Sequence, residues 1–350
     1  MTRLCFAIPT WNRAKKLSRC VENIAQQIVE GQVDASIYIS DNASEDETPK
    51  VIAELKRRYK FIVSVRQKEN IGGLANIAHV LGHADGDYVW MMGDDDLVLP
   101  GGVKLIETQL DDDSLAVVHA GMGWFKPHTG NVYESSVIGF ANRMGFNQFI
   151  GWISSDIIRK DVAEKMVSIP EWAEYQNNAF PHVCALLHVA AYEKAKVIDA
   201  PIANPMEAQN EDDIKRWADE NVGWKYVLTI DSLKYLQDTS IIKEKYKPSM
   251  FKYLQFYLWD RFIVNMIAQE LSGNPWPDKG WQNILMMADI IDDADMAKRI
   301  RSTCQQATSL IQQMRAMKGQ IEMTQKALST LASIVNQPVM PVTTFAGESR

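Results

Sequence analysis

The sequence lacks several features that would place it in common protein classes. Its 350 residues include four cysteines, Cys5, Cys20, Cys184 and Cys304, and no pair has CxxC or other metal-site spacing. Cysteines this far apart are typical of buried thiols in a reducing compartment, so we predict neither a disulfide framework nor a zinc site. The GxxxxGK[ST] and GxGxxG phosphate-binding patterns are missing as well, which removes the two standard nucleotide loops.

Long apolar runs and basic runs are also missing. No run of 18 uncharged apolar residues is present. The chain does not begin with a charged segment followed by a long apolar segment. We therefore expect neither a membrane-spanning helix nor a secretory signal, and a cytoplasmic location. The formal net charge of −7 without a Lys/Arg-rich run argues against a nucleic-acid partner. Peripheral contact with the inner face of a membrane stays open.

Short apolar segments alternate with helical patterns in the first 200 residues. Residues 4–8, 36–39, 61–65 and 88–92 have the length and composition of buried strands. Between the first two, apolar side chains recur at helical spacing: Leu17, Val21, Ile24 and Ile28. Strands that alternate with helices predict a mostly parallel sheet covered by helices on both faces.

The last third of the chain changes character. It is helical in pattern, and apolar residues recur every seventh position near its end: Ile300, Ala307, Met314, Ile321, Leu328 and Val335. Such a seam predicts a long helix that packs on other helices of the chain, associates with a second copy, or lies on a membrane. We divide the chain into residues 1–204, a helical region 205–338, and a tail 339–350.

An acidic stretch stands out at the end of the fourth predicted strand. Residues 88–92 run into Gly93 and then Asp94, Asp95 and Asp96. Three adjacent carboxylates cannot be buried without partners, and open α/β sheets bind ligands at the carboxyl ends of their strands. Carboxylate oxygens suit Mg²⁺ or Mn²⁺, which in turn bind phosphate oxygens. The competing interpretation is an acidic surface turn.

Four stretches at the ends of predicted strands resemble those of the family 2 glycosyltransferases. They are residues 9–13, 40–48, 70–76 and 86–100. The resemblance is good over residues 3–110 and loose over residues 111–202. It implies the GT-A fold, a Rossmann-like αβα sandwich with a mostly parallel sheet, here with a helical C-terminal extension. It also implies an inverting transferase that uses a nucleoside-diphosphate sugar.

The resemblance further implies which residues bind the donor. They are Pro9, Thr10, Asn12, Arg13, Asp41, Asn70, Gly72, Gly73, Asn76 and Asp94. Asp95, with Asp94 beside it, falls at the position that binds Mn²⁺ or Mg²⁺. Gly93 departs from the family pattern, because an Asp usually stands there. Competing interpretations are a helix-capping role for Asp41 and a surface charge for Arg13.

The general base is the weakest point of the resemblance. The family usually carries an acidic pair in the region that corresponds to residues 178–184, and no Asp or Glu is present there. His182 is the nearest titratable side chain, and a neutral imidazole is a capable base. Asp156 is the second candidate. A hydrogen-bonded structural role for His182 is the alternative.

These features predict a glycosyltransferase that moves a sugar from a nucleoside-diphosphate donor to a glycan or lipid-linked acceptor. Bacterial surface polysaccharide synthesis is the setting that the family implies. One alternative is a nucleotidyltransferase, which would need more basic residues near the first strand than Arg13, Lys15 and Lys16. Another is a catalytically degenerate GT-A domain that acts as a scaffold, or forms a homo-oligomer through residues 300–335.

Overall fold

A computed structural model describes residues 2–122, 128–205, 222–251 and 279–335. The strands in these ranges are β1 (Thr2–Thr10), β2 (Ala35–Asp41), β3 (Ile62–Arg66), β4 (Gly86–Met91), β5 (Asp96–Val98), β6 (Leu115–Met122), β7 (Val132–Ser136), β8 (Asp156–Arg159) and β9 (Lys194–Pro205). The helices are α1 (Ala14–Gly31), α2 (Thr48–Arg58), α3 (Gly73–His83), α4 (Gly102–Thr108), α5 (Val137–Met144), α6 (Phe146–Ile150), α7 (Lys160–Ser168), α8 (Trp172–Tyr175), α9 (Pro181–Ala190), α10 (Val222–Asp238), α11 (Lys279–Ile290) and α12 (Ala294–Val335).

The strands form one sheet in the order β3-β2-β1-β4-β8-β6-β9-β5, and β7 also pairs with β9. Strands β1 to β4 are mutually parallel, which confirms the prediction for the first half of the sheet. Strand β8 is antiparallel to both β4 and β6, so β6 points the same way as β4. The carboxyl ends of β1, β2, β4 and β6 therefore meet at one edge, and this edge positions the candidate site.

Helices cover both faces of the sheet, and each face has its own core. Helices α1, α2 and α4 pack on one face, where the predicted apolar stripe of α1 is buried. Helices α3, α5, α7 and α9 pack on the other face together with α10 to α12. The four cysteines are buried free thiols, as predicted.

Some elements differ from the sequence-based expectations. The three-residue strand β5 and the polar strand β7 were not predicted, because one is too short and the other too exposed to show an apolar period. Asp96 begins β5. Strand β6 ends at Met122, and the start of the helical region assigned to residues 205–338 lies largely outside the described residues.

The long C-terminal helix is confirmed, but its two halves have different environments. In the first half of α12, Ile300, Cys304, Ala307 and Ile311 are buried, and the helix contacts α11. In the second half, the apolar side chains are exposed: Met317, Ile321, Met323 and Leu328. The heptad pattern thus corresponds to core packing only in its first half. In the described ranges, no helix is long and apolar enough to cross a membrane.

Candidate functional site

A cavity of about 470 Å³ lies where the carboxyl ends of β1, β2 and β4 meet. We call it the donor cavity. Of the residues that the sequence assigned to donor and metal binding, those that line it are Pro9, Thr10, Arg13, Asn70, Gly72, Gly73, Asn76, Asp94 and Asp95. Parallel strands end at the same edge of a sheet, so loops that are far apart in the sequence converge here.

The loop after β1 holds the carboxylates in place. Thr10 Oγ1 donates to Asp94 Oδ2 at 2.7 Å, and Arg13 Nη1 donates to Asp94 Oδ1 at 3.0 Å and to Asp95 Oδ2 at 2.7 Å. Lys16 Nζ lies 3.5 Å from Asp95 Oδ2. The sequence did not assign Lys16 to the site, although its position one helical turn after Arg13 is a signal that could have found it. Two cations therefore offset the negative charge.

Two of the assigned residues brace the loops and do not belong to the described lining of the cavity. Asn12 Oδ1 accepts from the backbone N–H of Glu45 at 2.7 Å, and its own N–H donates to Ser44 Oγ at 2.8 Å. Asp41 is buried, accepts from the N–H of Ser44 at 2.9 Å, and pairs with Arg66 at 2.6 Å. A direct donor contact from Asn12 or Asp41 stays a prediction.

Residues that the sequence did not assign also line the donor cavity: Trp11, Asn42, Ile77, Gly93 and Ile153. Asn42 connects two loops, because its Nδ2 donates to Asn70 Oδ1 at 2.8 Å and its Oδ1 accepts from the N–H of Ile71 at 2.9 Å. Its position directly after Asp41 was the available signal. Ile153 comes from a distant segment, and no local pattern in the sequence could have identified it.

The structure explains why glycine stands at position 93. A Cβ atom there would lie 2.5 Å from Asp96 Oδ2, so the Asp96 carboxylate occupies the space that a side chain would need. Ser154 holds this carboxylate, because its hydroxyl donates to Asp96 and accepts from the N–H of Gly93 at 2.8 Å. At this departure from the family pattern, the glycine thus leaves room for the Asp96 carboxylate.

Burial dominates the electrostatics of the acidic turn. It raises the pKa of Asp94 to about 6, while Arg13 and Thr10 oppose the shift. It raises the pKa of Asp96 to about 7, against the hydrogen bond from Ser154. Asp95 has the most exposed side chain of the three, at 36%. The acidic turn therefore contains one partly exposed carboxylate, that of Asp95, and two buried carboxyl groups, Asp94 and Asp96, with pKa values close to neutral pH.

The sequence model described as "Glycosyl transferase family 2" matches residues 5–162, the segment that contains the donor cavity. Residues 5–162 are thus similar in sequence to the family 2 glycosyltransferases. Two curated relatives agree with this assignment. Abequosyltransferase RfbV of Salmonella typhimurium is 26% identical over 205 residues, which are 53% of this chain and 60% of the relative.

The second relative is the GalNAc(5)-diNAcBac-PP-undecaprenol beta-1,3-glucosyltransferase of Campylobacter jejuni. It is 29% identical over 109 residues, which are 30% of this chain and 34% of the relative. The chain thus spans 60% and 34% of the lengths of these two relatives. Among solved structures, residues 1–349 of S. aureus TarS with UDP-GlcNAc superpose with a TM-score of 0.60 at 11% identity, over 90% of this chain and 92% of that one. This likeness confirms the GT-A type of fold.

The acidic turn has a chemistry that suits Mg²⁺ or Mn²⁺. In the described ranges, no group of three or more His, Cys, Asp or Glu side chains is arranged as a metal cage. Ions of this kind are commonly bound through one or two carboxylates, with substrate phosphates and water as the other ligands. Asp95 fits that role, because its side chain is partly exposed and its contacts with Arg13 and Lys16 both involve Oδ2.

His182, the first candidate base, lies in the first turn of α9. It is buried, and it is not one of the described residues that line the donor cavity. Its ring interacts with the backbone of Ile150 and Gly151, and its Nε2 has no hydrogen-bond partner among the described residues. Burial lowers the pKa of His182 to about 4, so the ring is neutral at pH 7 and Nε2 carries an unpartnered lone pair. The same burial disfavours the imidazolium and makes this ring a weaker base than an exposed histidine.

Asp156, the second candidate, is the first residue of β8. It is buried as well, and its Oδ2 has no hydrogen-bond partner among the described residues. Burial raises the pKa of Asp156 well above its ordinary value, against a hydrogen bond from Ser155. This shift favours the protonated acid, which cannot accept a proton. Burial thus opposes proton acceptance by both candidates, and the unpartnered lone pair on Nε2 of the neutral ring is the observation that favours His182. Either assignment stays a prediction.

Proposed function

We propose that this protein transfers a sugar from a nucleoside-diphosphate sugar to a glycan or lipid-linked acceptor. The observation that carries the proposal is the donor cavity, in which backbone, cations and carboxylates converge at the end of the parallel strands. Nothing lies within 4 Å of the point where a side chain would begin at Gly72 or Gly73, so a ligand can lie directly over this backbone. Such cavities at strand ends are where open α/β sheets bind nucleotides.

The names of the relatives support the substrate classes. One is an abequosyltransferase, another acts on a glycan linked to undecaprenol through PP, and TarS was solved with UDP-GlcNAc. A nucleotide-sugar donor and a glycan or lipid-linked acceptor follow for this chain as proposals. We place the reaction in bacterial surface polysaccharide synthesis, in the cytoplasm or at the inner face of the membrane.

Transfer of the sugar leaves negative charge on the oxygens of the diphosphate, and this charge has to be neutralised. When bound at Asp95 and Asp94, Mg²⁺ or Mn²⁺ would neutralise it by acting as a Lewis acid. Arg13 and Lys16 lie beside these carboxylates and add positive charge where the phosphates would sit. We propose a single in-line displacement with inversion, in which His182 takes the proton of the attacking acceptor hydroxyl. The acceptor must then reach a buried imidazole.

We assign a role to each of the three regions into which we divide the chain. Residues 1–204 would carry catalysis, residues 205–338 would hold the acceptor or a partner, and residues 339–350 would form a tail. One observation favours a second function, a scaffold or homo-oligomer: the exposed apolar side chains Met317, Ile321 and Leu328 on α12. A scaffold needs no nucleotide, so nucleotide binding distinguishes the two.

Thermal unfolding of the full chain with UDP, GDP, CDP and dTDP, each with and without Mn²⁺, tests the proposal. A nucleotide at about 100 times its Kd should raise the Tm by about 5–10 °C, because it binds only the folded state. Asp95→Asn should lose the part of the shift that depends on Mn²⁺. Asp87→Asn, which changes an exposed carboxylate elsewhere on β4, should keep it. No shift with any nucleotide would contradict the donor site and favour the scaffold.

A further inference from the structure

A second cavity, of about 390 Å³, lies at the same edge of the sheet, beyond the end of β6. It arises from a break in the pairing of β6 with β9. Ala120 pairs with Ile198 and Met122 pairs with Ala203, so residues 199–202 of β9 stand opposite Gly121 alone. The extra backbone of β9 lies close to β6, because a Cβ atom at Gly121 would clash with the backbone of Ile198 and Ala200. The second cavity is lined by residues of β9 and helix α5.

The lining of the second cavity combines an apolar surface with a polar rim. The apolar surface consists of Met122, Phe140, Met144, Val197 and Ile198. The polar side chains are His119, His128, Tyr133, Arg143, Gln148 and Asp199. Several of the rim groups are fixed: His128 Nδ1 lies 3.0 Å from Asp199 Oδ1, and Asp199 Oδ2 accepts from the N–H of Thr129 at 3.0 Å. The rim is therefore preorganised.

One buried polar atom in this lining lacks a partner. His119 is 2% exposed, and its Nδ1 has no hydrogen-bond partner among the described residues. The ring also interacts with the backbone of Phe149, and burial lowers the pKa of His119 to about 4. The imidazole is then neutral, and its second nitrogen is an acceptor that needs a donor. Because an unsatisfied buried acceptor is costly, a hydroxyl donor from a ligand would be stabilised here.

The second cavity is close to the donor cavity. Strands β4, β8 and β6 are neighbours, so the ends of β4 and β6 lie two strand spacings apart, roughly 10 Å. The segment 148–153 separates the two cavities, since Gln148 lines one and Ile153 lines the other. A ligand that extends from the donor cavity across residues 148–153 would reach His119.

We propose that the second cavity binds a sugar ring of the acceptor glycan, with the apolar face of the ring against Phe140 and a hydroxyl group donating to Nδ1 of His119. A pyranose ring has an apolar face and a polar hydroxyl edge, which matches a cavity with an apolar wall and a rigid polar rim. This inference rests on the proposed function, because it takes the ring to be part of an acceptor.

Saturation-transfer NMR with the full chain tests the inference. The probes are the methyl glycosides of glucose, galactose, rhamnose and N-acetylglucosamine. We expect at least one to bind with a Kd of about 1–10 mM, as expected for a ligand of this size. His119→Phe, which removes the acceptor nitrogen, should weaken that binding about tenfold. Arg143→Ala, an exposed rim change that the fold should tolerate, should weaken it as well.

The controls separate this inference from the proposed function. His83→Phe changes an exposed histidine at the end of α3 and should leave glycoside binding unchanged. The Tm shift caused by nucleotides should be the same in all of these variants. If nucleotides bind and none of the glycosides does, or if His119→Phe and Arg143→Ala bind them as well as the wild type, the inference is wrong while the donor site stands. Glycoside binding that depends on His119 without any nucleotide binding would support the cavity and contradict the transferase.

Discussion

Two sets of buried polar side chains lie at the carboxyl edge of the sheet, and they differ in how completely they are hydrogen-bonded. In the carboxylate set, Asp94 is held by Thr10 and Arg13, and Asp96 is held by Ser154. In the histidine set, each member has a polar atom without a partner among the described residues: His119 Nδ1, Asp156 Oδ2 and His182 Nε2.

We infer from this difference that the carboxylate set and the histidine set bind different ligands. The carboxylate set is fixed before any ligand arrives, as expected for a site that binds a metal and a diphosphate in one geometry. Each unpartnered atom of the histidine set costs about 1–3 kcal/mol of unfolding free energy. Such atoms persist where they have another use, and a site for the acceptor would give them their missing partners.

The largest effect that we expect distinguishes His182 from Asp156. His182→Gln should lower kcat by about 10²–10⁴, because the acceptor hydroxyl would lose its base. Asp156→Asn should change kcat only a few-fold, because burial favours the neutral form of this carboxyl group and the amide is neutral as well. Steady-state kinetics measure both.

His188→Gln is the matched control for this comparison. His188 lies on the same helix, where its Nδ1 is 2.9 Å from the hydroxyl of Tyr175. Its substitution should leave kcat unchanged. The reverse pattern, a large loss in Asp156→Asn and none in His182→Gln, would exchange the two assignments.

The next largest effect concerns Gly93. Gly93→Ala should cost about 1–3 kcal/mol of unfolding free energy, because the new methyl group displaces the Asp96 carboxylate from Ser154. Urea unfolding measures the cost. Gly319→Ala on α12 is the control, since nothing lies within 4 Å of the added atom there. Equal stability of Gly93→Ala and the wild type would show that the acidic turn is not tightly packed.

The smallest effect is in the pH dependence of stability, where Asp96 of the carboxylate set and His119 of the histidine set contribute with opposite signs. Burial raises the pKa of Asp96 from 3.8 to about 7, so the folded state binds the extra proton and loses stability as the pH rises through that window. Burial lowers the pKa of His119 from 6.5 to about 4, so the unfolded state binds the extra proton and the folded state loses stability as the pH falls through that window.

Two variants separate these contributions. Relative to the wild type, the Tm of Asp96→Asn should rise as the pH increases from 4 to 7. The Tm of His119→Phe, again relative to the wild type, should rise as the pH falls from 6.5 to 4. Scanning calorimetry at several pH values measures both slopes, and slopes of the same sign would contradict the comparison.

The donor cavity could be predicted from the sequence because its residues lie in short contiguous stretches, each directly after a strand. Thr10, Asn70 and Asp95 lie in such stretches, and the resemblance to the family assigned them to the site. Asn12 and Asp41 occupy the same stretches, but their side chains brace neighbouring loops, and no sequence pattern distinguishes a bracing residue from a lining one.

The histidine set could be predicted only in part, because its members are far apart in the sequence and meet only in the folded sheet. His119, Asp156 and His182 come from β6, β8 and α9, and the antiparallel pairing that places His119 opposite Asp156 has no local signal. Similarly, the heptad pattern of α12 predicted a helix but not where its packing stops. The exposed Ile321 and the buried Ile300 occupy equivalent heptad positions.

The most direct test of the central claim is the release of nucleoside diphosphate from a panel of UDP-, GDP-, CDP- and dTDP-sugars in the presence of Mn²⁺. We predict that the wild-type protein consumes at least one donor, that Asp95→Asn reduces this rate by about 100-fold, and that Asp87→Asn does not. A wild-type protein that consumes no donor in the panel, or an Asp95→Asn variant as active as the wild type, would contradict the account.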